Sequence, residues 1–277
     1  MSEPEIKRVI IACGAHGDID IAVRGAAELA GRWRVPLHGL FLKDENLLRL
    51  AMLPFIRQVS LSAPELSGTL EVEQLQSLLS ALAASMRRAI ESAAQHAGVD
   101  WSFAELHDLP SAASGAVLEG DILVIDAGAR AFSGSWRPRS LWESAAGDLG
   151  TLVLLRRNEG EGRPCIVLML DGGAADHDRI LGAVRALASP QDRLHVLAFG
   201  DLAADADFRE ALLRQFELAG LSHVAVERPA RDVAEARDRV ARLAPRLVAI
   251  ETSALEQEDV QTLVANTQCD LLLVGEV

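Results

Sequence analysis

One pattern occurs twice in this chain. It begins at residue 9 and again at residue 166, and the two copies align without a gap at an offset of 157. Residues 9–42 contain VIIAC, VRGAAELA and LHGLFL where residues 166–199 contain IVLML, ILGAVRAL and LHVLAF. A repeat of this length is larger than a solenoid unit and indicates a duplicated domain. The sequence therefore predicts two copies of one module, residues 1–157 and 164–277, joined by a short polar linker.

Apolar runs typical of strands alternate with segments of helical spacing in both halves. This alternation implies right-handed crossovers, so each half is predicted to be a Rossmann-like, doubly wound α/β domain with a five-stranded parallel sheet. The predicted strands are Lys7–Cys13, Leu37–Leu42, Trp101–Leu106, Asp121–Ile125, Gly150–Leu155, Cys165–Leu170, Arg193–Phe199, His223–Glu227, Leu247–Ile250 and Leu271–Val274. The predicted helices are Asp18–Ala30, Glu71–Ala97, Leu141–Ala146, Asp176–Ala188, Asp205–Ala219, Asp232–Leu243 and Glu256–Asn266.

The last predicted strand of each half, Gly150–Leu155 or Leu271–Val274, is apolar and would otherwise form an open sheet edge. An open edge exposes unpaired backbone N–H and C=O groups, and pairing the two edges within one chain satisfies them. We therefore expect the halves to form an intramolecular pseudo-dimer through these strands. Pairing of two chains into a homodimer stays open.

The chain has 277 residues and is 49% hydrophobic, which supplies enough material for two buried cores. Its net charge of −13 repels a phosphate backbone, so nucleic acid is not an expected partner. No run approaches the roughly 20 apolar residues that cross a bilayer, and no apolar secretory region is visible, so a cytoplasmic location without membrane insertion is expected. Cys13, Cys165 and Cys269 fall in predicted buried strands, as core residues do, rather than in a disulfide framework or a metal site.

The first half ends with the segment DILVIDAGARAFSGSWRPRSLWESAAGDLGTLVLLRR. This segment resembles the universal stress protein family, which has a HUP-type fold. Nucleotide-binding members of that family carry a Gly, a second Gly three residues on, and a Gly-Ser or Gly-Thr pair after nine more. The matching positions here are Asp126, Ala129, and Arg139 with Ser140, while Arg130 is a residue type common in the family. The resemblance thus implies the tandem two-domain form of the family with a degraded nucleotide motif.

A phosphate cradle needs converging backbone N–H groups, and glycine permits the close approach and positive φ angles that this requires. Side chains at Ala129 and Arg139 obstruct the approach. Asp126 adds a repulsion of about 4 kcal/mol for a phosphate charge about 4 Å away at an effective dielectric of about 20. We expect no ATP site of the family's kind in the first half. Arg130 and Arg139 either attract another anion or are simply solvated.

The family's other landmark is an Asp-Gly pair after the first strand, at the topological switch point where open α/β sheets bind ligands. The first half has Gly14 there, but the second half keeps the landmark. Its candidate ligand-binding residues are Asp171, Gly172 and Gly173. The fourth strand of the second half ends near Glu251, and ETSALEQED replaces the glycine loop. Neither half has a complete nucleotide site.

Histidines near both switch points are candidate proton carriers, since imidazole titrates near neutrality. These are His16 and His177; neither has a nucleophile or paired acid beside it in sequence, and solvent-facing loop histidines are the commoner case. His38 and His195, related by the repeat, are expected to be structural positions near strand ends rather than metal ligands. No catalytic motif is present, so the sequence offers no positive argument for an enzyme.

A segment of the first half, Lys43–Thr69, has no counterpart in the second half. Its apolar residues Leu50, Leu53 and Phe55 crowd around Pro54. The segment is either a helical insertion that fills the groove between the modules, or a pocket wall or docking surface. We expect the specificity of the protein to reside here.

These observations favour a non-catalytic, stress-linked binding or regulatory module that needs no cofactor and does not depend on ATP. Its partner, a protein or a small molecule, is not identified by the sequence. One alternative is a nucleotide-binding protein or slow ATPase that uses Asp171. Another is a regulatory companion of a membrane transporter, since universal stress domains occur beside such proteins.

Overall fold

The computed structural model of the chain describes residues 6–13, 19–43, 49, 52, 57–58, 68–69, 72–106, 117–118, 120–126, 152–156, 163–171, 177–199, 206–251, 257–266 and 269–275. Its strands are β1 (Arg8–Cys13), β2 (Leu37–Leu42), β3 (Arg57–Gln58), β4 (Gly68–Thr69), β5 (Trp101–Leu106), β6 (Asp121–Asp126), β7 (Leu152–Arg156), β8 (Arg163–Asp171), β9 (Arg193–Phe199), β10 (Val224–Val226), β11 (Pro245–Glu251) and β12 (Asp270–Val274). Its helices are α1 (Ile19–Trp33), α2 (Val72–Ala97), α3 (Asp178–Leu187), α4 (Ala206–Leu218), α5 (Val233–Leu243) and α6 (Gln257–Asn266). The predicted α/β class is confirmed.

The main sheet has ten strands in the order β10-β9-β8-β11-β12-β7-β6-β1-β2-β5. Each half contributes its strands in the same spatial order, with its first strand between its second and its fourth. Pairing is parallel within each half, whereas β12 pairs with β7 in antiparallel register, Leu271 opposite Leu155 and Val274 opposite Leu152. The predicted pairing of the last strands is therefore confirmed. The domain boundaries at residues 157 and 164 stay a prediction.

The central strands are buried on both faces, which explains their unbroken apolar runs. Val9 and Ile11 of β1 belong to one hydrophobic layer and Ile10 to the other. Helices α1 to α4 pack on the first layer, and α5 and α6 pack on the second. Both layers continue across the β7–β12 junction. The junction is therefore part of the hydrophobic core.

Helix α3 ends against an arginine from the other half of the chain. The guanidinium of Arg32, on α1, donates hydrogen bonds to the carbonyl oxygens of Leu187 at 3.4 Å and Ala188 at 2.6 Å. Arg246 donates a further hydrogen bond to the Leu187 carbonyl at 2.9 Å. The last carbonyls of a helix lack partners within the helix and carry partial negative charge, so two guanidinium groups stabilise this end.

The predicted linker is shorter than the sequence indicates, because β8 begins at Arg163 rather than Cys165. The Arg163 N–H donates to the Ala244 carbonyl at 3.1 Å, and the pairing of β8 with β11 has an irregularity between Pro245 and Leu247. Prolines are tolerated in strands at such ends and bulges. Both strands were predicted to begin too late, at Cys165 and Leu247, after the prolines that lie at their starts.

The unmatched segment of the first half is not wholly helical. Within it, Arg57 and Gln58 pair in antiparallel register with Thr69 and Gly68. Lys43, at its start, makes an ion pair with Glu105 on β5 at 2.5 Å. The apolar residues Leu50, Leu53, Pro54 and Phe55 lie outside the described residues, as does the predicted helix 141–146.

The three cysteines are buried, with relative exposures of 3% for Cys13, 6% for Cys165 and 7% for Cys269. This confirms their assignment to the core. Burial raises the pKa of the Cys165 thiol, and the nearby charge of Asp192 raises it further. Within the described part of the chain, no helix is long and apolar enough to cross a membrane.

Candidate functional site

The candidate site lies at the carboxyl ends of β8 and β11, which are neighbours in the second half of the sheet. Asp171 ends β8 and Glu251 ends β11. Because β8 lies between β9 and β11, the strand order reverses at this point, and open α/β sheets bind ligands at such a point. The fold thus places the candidate ligand-binding landmark of the second half at its switch point.

His177 is the residue that precedes α3, and its side chain lies beside Glu251. Its Nδ1 atom is 3.0 Å from Oε2 and 3.2 Å from Oε1 of the Glu251 carboxylate. The His177 side chain is 2% exposed and that of Glu251 13%. His177 makes no side-chain hydrogen bond to the first turn of α3. Its role is therefore to connect the start of this helix to the end of β11.

The pairing with a carboxylate determines which ring nitrogen carries the proton. An ionised carboxylate only accepts hydrogen bonds, so Nδ1 donates and Nε2 of the neutral ring is left as an acceptor. Nε2 of His177 is buried and has no hydrogen-bond partner among the described residues. A buried acceptor without a partner costs about 1–3 kcal/mol of stability. An atom of this kind needs a partner from outside the described residues.

An aromatic ring forms one wall of the site. Phe208, in the first turn of α4, packs edge to face with the His177 imidazole at a centroid distance of 6.3 Å and an interplanar angle of 86°. Phe199, at the end of β9, is 8% exposed. Phe208 therefore places an apolar aromatic ring beside the imidazole, which also contacts the Glu251 carboxylate.

The expectation that His177 faces solvent without an acid partner was wrong. His177 and Glu251 are 74 residues apart, so no local spacing connects them. They meet because the first and fourth strands of a half are neighbours in the sheet. That strand order was not predicted from the sequence, so the pair was not found.

The first half has different residues at the equivalent positions. Ile125 on β6 pairs with Ala12 on β1, as Ile250 pairs with Met169 in the second half, so Asp126 corresponds to Glu251. The repeat offset places Asp20 of α1, which is exposed, where the second half has His177. Two acids thus replace the histidine–glutamate pair.

Most of the other predicted site residues lie outside the described residues. These are His16, Arg130, Arg139, Ser140, Gly172 and Gly173. Asp171 is described through its backbone, which pairs with Phe199 on β9. The proposed roles of all these residues stay predictions.

His38 and His195 occupy equivalent positions in β2 and β9, and each contacts the outer strand of its half or the residue after it. Nδ1 of His38 is 2.6 Å from Oγ of Ser102, and Nδ1 of His195 is 2.8 Å from Oε1 of Glu227. Burial lowers the pKa of His38, and the positive charge of Arg8 lowers it further. Both histidines fit the structural role predicted for them.

Solved structures of other proteins match the fold, whereas no protein-family model and no curated protein matches the chain. A universal stress protein from Archaeoglobus fulgidus matches with a TM-score of 0.61 and 10% identity over 99% of this chain and 97% of the other. A protein described as a universal stress protein from Pseudomonas aeruginosa matches with a TM-score of 0.57 and 16% identity over 99% and 94%. The cytoplasmic domain of a prokaryotic cation chloride cotransporter matches with a TM-score of 0.50 and 11% identity over 97% and 95%.

The match to universal stress proteins therefore extends over both halves of the chain. In this chain each half contributes five strands to the main sheet, and the antiparallel pair of β7 and β12 joins them. The chain has the universal stress protein fold.

Proposed function

We propose that this chain is a cytoplasmic, stress-linked binding and regulatory protein that works without ATP and without catalysis. The observation that carries the proposal is an acid at the end of the fourth strand of each half, where the loop of a nucleotide site begins. These acids are Asp126 at the end of β6 and Glu251 at the end of β11. Glu251 is held in place by His177.

A triphosphate bound at this edge of the second half would meet the Glu251 carboxylate. Two like unit charges about 4 Å apart repel each other by about 4 kcal/mol at an effective dielectric of about 20. The N-terminus of α3 attracts an anion, but such an attraction contributes only about 0.3–1 kcal/mol. Repulsion therefore exceeds attraction. A molecule without phosphate groups fits this edge better.

Calorimetric titration of the full chain with magnesium and ATP tests the proposal. We expect no binding heat at micromolar concentrations. Binding in the low micromolar range contradicts the proposal, and Asp171→Ala then tests the alternative of a nucleotide-binding protein or slow ATPase. That alternative requires the variant to lose ATP binding while it keeps the melting temperature of the wild type.

The likeness to the cytoplasmic domain of a cation chloride cotransporter favours a second candidate function, the regulation of a membrane transporter. In this function the chain would contact the cytoplasmic side of a transporter and alter its transport. Crosslinking in intact cells, followed by mass spectrometry of the membrane fraction, tests it. Recovery of a transporter subunit with the chain supports this candidate, and a crosslinked fraction that contains only non-membrane proteins contradicts it.

A further inference from the structure

We infer that the second-half switch point binds an uncharged small molecule that donates a hydroxyl or amide hydrogen to Nε2 of His177. This inference rests on the proposed function and specifies the chemistry of its ligand. The site comprises the ring of His177, the Glu251 carboxylate that fixes its tautomer, and the apolar ring of Phe208.

The contact with Glu251 determines the tautomer of His177. Both oxygens of the Glu251 carboxylate lie within 3.2 Å of Nδ1, and neither can donate a hydrogen bond to it. The proton of the neutral ring is therefore on Nδ1, and Nε2 presents a lone pair. The molecule that pairs with Nε2 must supply an N–H or O–H group.

Bulk solvent has little access to the imidazole of His177. The side chain of His177 is 2% exposed, so its ring is shielded from bulk water. Among the residues that the structure describes, none satisfies Nε2. The partner is therefore either a bound organic molecule or a single trapped water, and the experiment below separates these two.

The charge and shape of the site restrict which molecule can approach Nε2 of His177. An anion placed against Nε2 would meet a lone pair on the ring and the negative carboxylate of Glu251 behind it, so both groups repel it. The edge-to-face packing of Phe208 provides an apolar aromatic surface next to the imidazole. These features select a neutral donor group attached to an apolar or aromatic body.

Matched pairs of aromatic probes test this selection on the full chain with ¹⁵N-labelled histidine. Benzyl alcohol and benzamide carry neutral donors, whereas benzoate and phenyl phosphate carry the same ring with an anion. We expect the neutral probes to shift the Nε2 resonance of His177 and the anionic probes to leave it unchanged. A response to the anions only, or to no probe, overturns the inference, the latter outcome indicating a trapped water.

Variants of the pair provide the second measurement. His177→Phe keeps an aromatic ring against Phe208 and is expected to abolish probe binding. The matched control is His195→Phe, because His195 also pairs through Nδ1 with a carboxylate, that of Glu227, but on β9 away from the switch point. We expect this control to bind the probes with unchanged affinity. Equal loss in both variants overturns the inference.

Glu251→Gln tests the tautomer directly. A glutamine amide can donate to Nδ1, so the proton is free to move to Nε2 and the acceptor is lost in part of the population. We expect the Nε2 resonance to move toward that of a protonated nitrogen and the affinity for benzyl alcohol to fall several-fold. An unchanged resonance overturns the tautomer assignment. The ATP titration is independent, since ATP binding contradicts the proposed function whatever the aromatic probes do.

Discussion

The two halves of the sheet share one strand order and one pattern of buried apolar residues, but the charges at their amino ends are arranged differently. In the first half, Arg8 on β1 pairs with Asp121 on β6, whose side chain is 3% exposed. In the second half, β11 takes the place of β6 and carries the opposite charge, Arg246. Arg246 pairs with Asp192, which precedes β9 and has a side chain that is 1% exposed. In each half an arginine thus neutralises a buried carboxylate, but this arginine lies on β1 in the first half and on β11 in the second.

The carboxyl ends differ more. Glu251 in the second half accepts a hydrogen bond from His177, whereas the first half has Asp126 and the exposed Asp20 at these positions. Packing of side chains in a close-packed interior constrains the residues on both faces of the strands. The strand ends instead carry charged or polar pairs that differ between the halves. The two halves of this duplicated fold therefore share their core and differ at the ends of their strands, where open α/β sheets bind ligands.

The largest expected effect comes from a charge in the junction that joins the halves. Leu272 on β12 is fully buried and pairs with Leu154 on β7. Leu272→Asp buries an unpaired carboxylate and is expected to lower the free energy of unfolding by at least about 4 kcal/mol. Urea denaturation measures this loss. The same substitution at Leu78 on α2, which is 51% exposed, is the control and should change stability by less than about 1 kcal/mol.

A smaller loss is expected at the amino end of the second half. Arg246→Met leaves the buried Asp192 without its guanidinium, and breaking such a pair costs about 3 kcal/mol. Arg8→Met is the matched variant of the first half, because Asp121 is buried to a similar extent. Urea denaturation should give losses of similar size for the two. A loss confined to one variant would show that only one half needs its ion pair.

The pH dependence of the Arg246→Met effect follows from Asp192. Burial alone would raise the pKa of Asp192, but hydrogen bonds from Arg246 and the Ser189 N–H outweigh it and hold the pKa below its ordinary value. A lowered folded pKa stabilises the protein above the unfolded value of about 3.9, and this stabilisation is lost as the pH falls through the folded value. The stability difference between wild type and variant should therefore shrink below about pH 4. A difference that stays constant in this range contradicts the assignment.

An intermediate effect is expected from the arginine that connects the halves on the first hydrophobic layer. Arg32→Ala removes the hydrogen bonds to the Leu187 and Ala188 carbonyls and should cost about 1.5 kcal/mol, the range of bonds that involve a charged group. Arg24→Ala is the control, because the hydrogen bond of Arg24 goes to the Asp20 carbonyl of its own helix, at 3.3 Å. Equal losses in the two variants would show that the connection between the halves contributes nothing.

The sequence predicts the strands of this fold well because apolar runs bounded by turn residues mark them. The bounds of β2, β5 and β9 agree with the structure to the residue. The pairing of the two apolar edge strands was also predictable, because each requires a partner. The antiparallel direction of that pair was not predicted. The predicted bounds of β8 and β11 were wrong, because these strands begin at or before Pro164 and Pro245.

The candidate site was only half predictable. The landmark at Asp171 follows from the repeat and the family resemblance, and it lies at the switch point. The pairing of His177 with Glu251 depends on which strands are neighbours, and that order comes from the structure rather than from the spacing of residues in the sequence. The burial of the imidazole depends further on the packing of Phe208 from α4. Local spacing contains no trace of that contact.

The smallest expected effect concerns the equivalent histidines of β2 and β9. The pKa of His38 is lowered by burial and then by the charge of Arg8, while Asp121 opposes both. In the second half, the repeat offset places the uncharged Cys165 where the first half has Arg8. Following the His38 ring signal by NMR during a pH titration should give a midpoint below about 6.5, the ordinary value for histidine.

Arg8→Gln makes the first half resemble the second at this position. The variant removes a positive charge and leaves Asp121 without its ion pair, and both changes favour the protonated ring. The titration midpoint of His38 should therefore rise in Arg8→Gln. A midpoint of His38 that does not move would mean that burial alone sets its pKa. The charge at the amino end of β1 would then have no part in setting the pKa of His38.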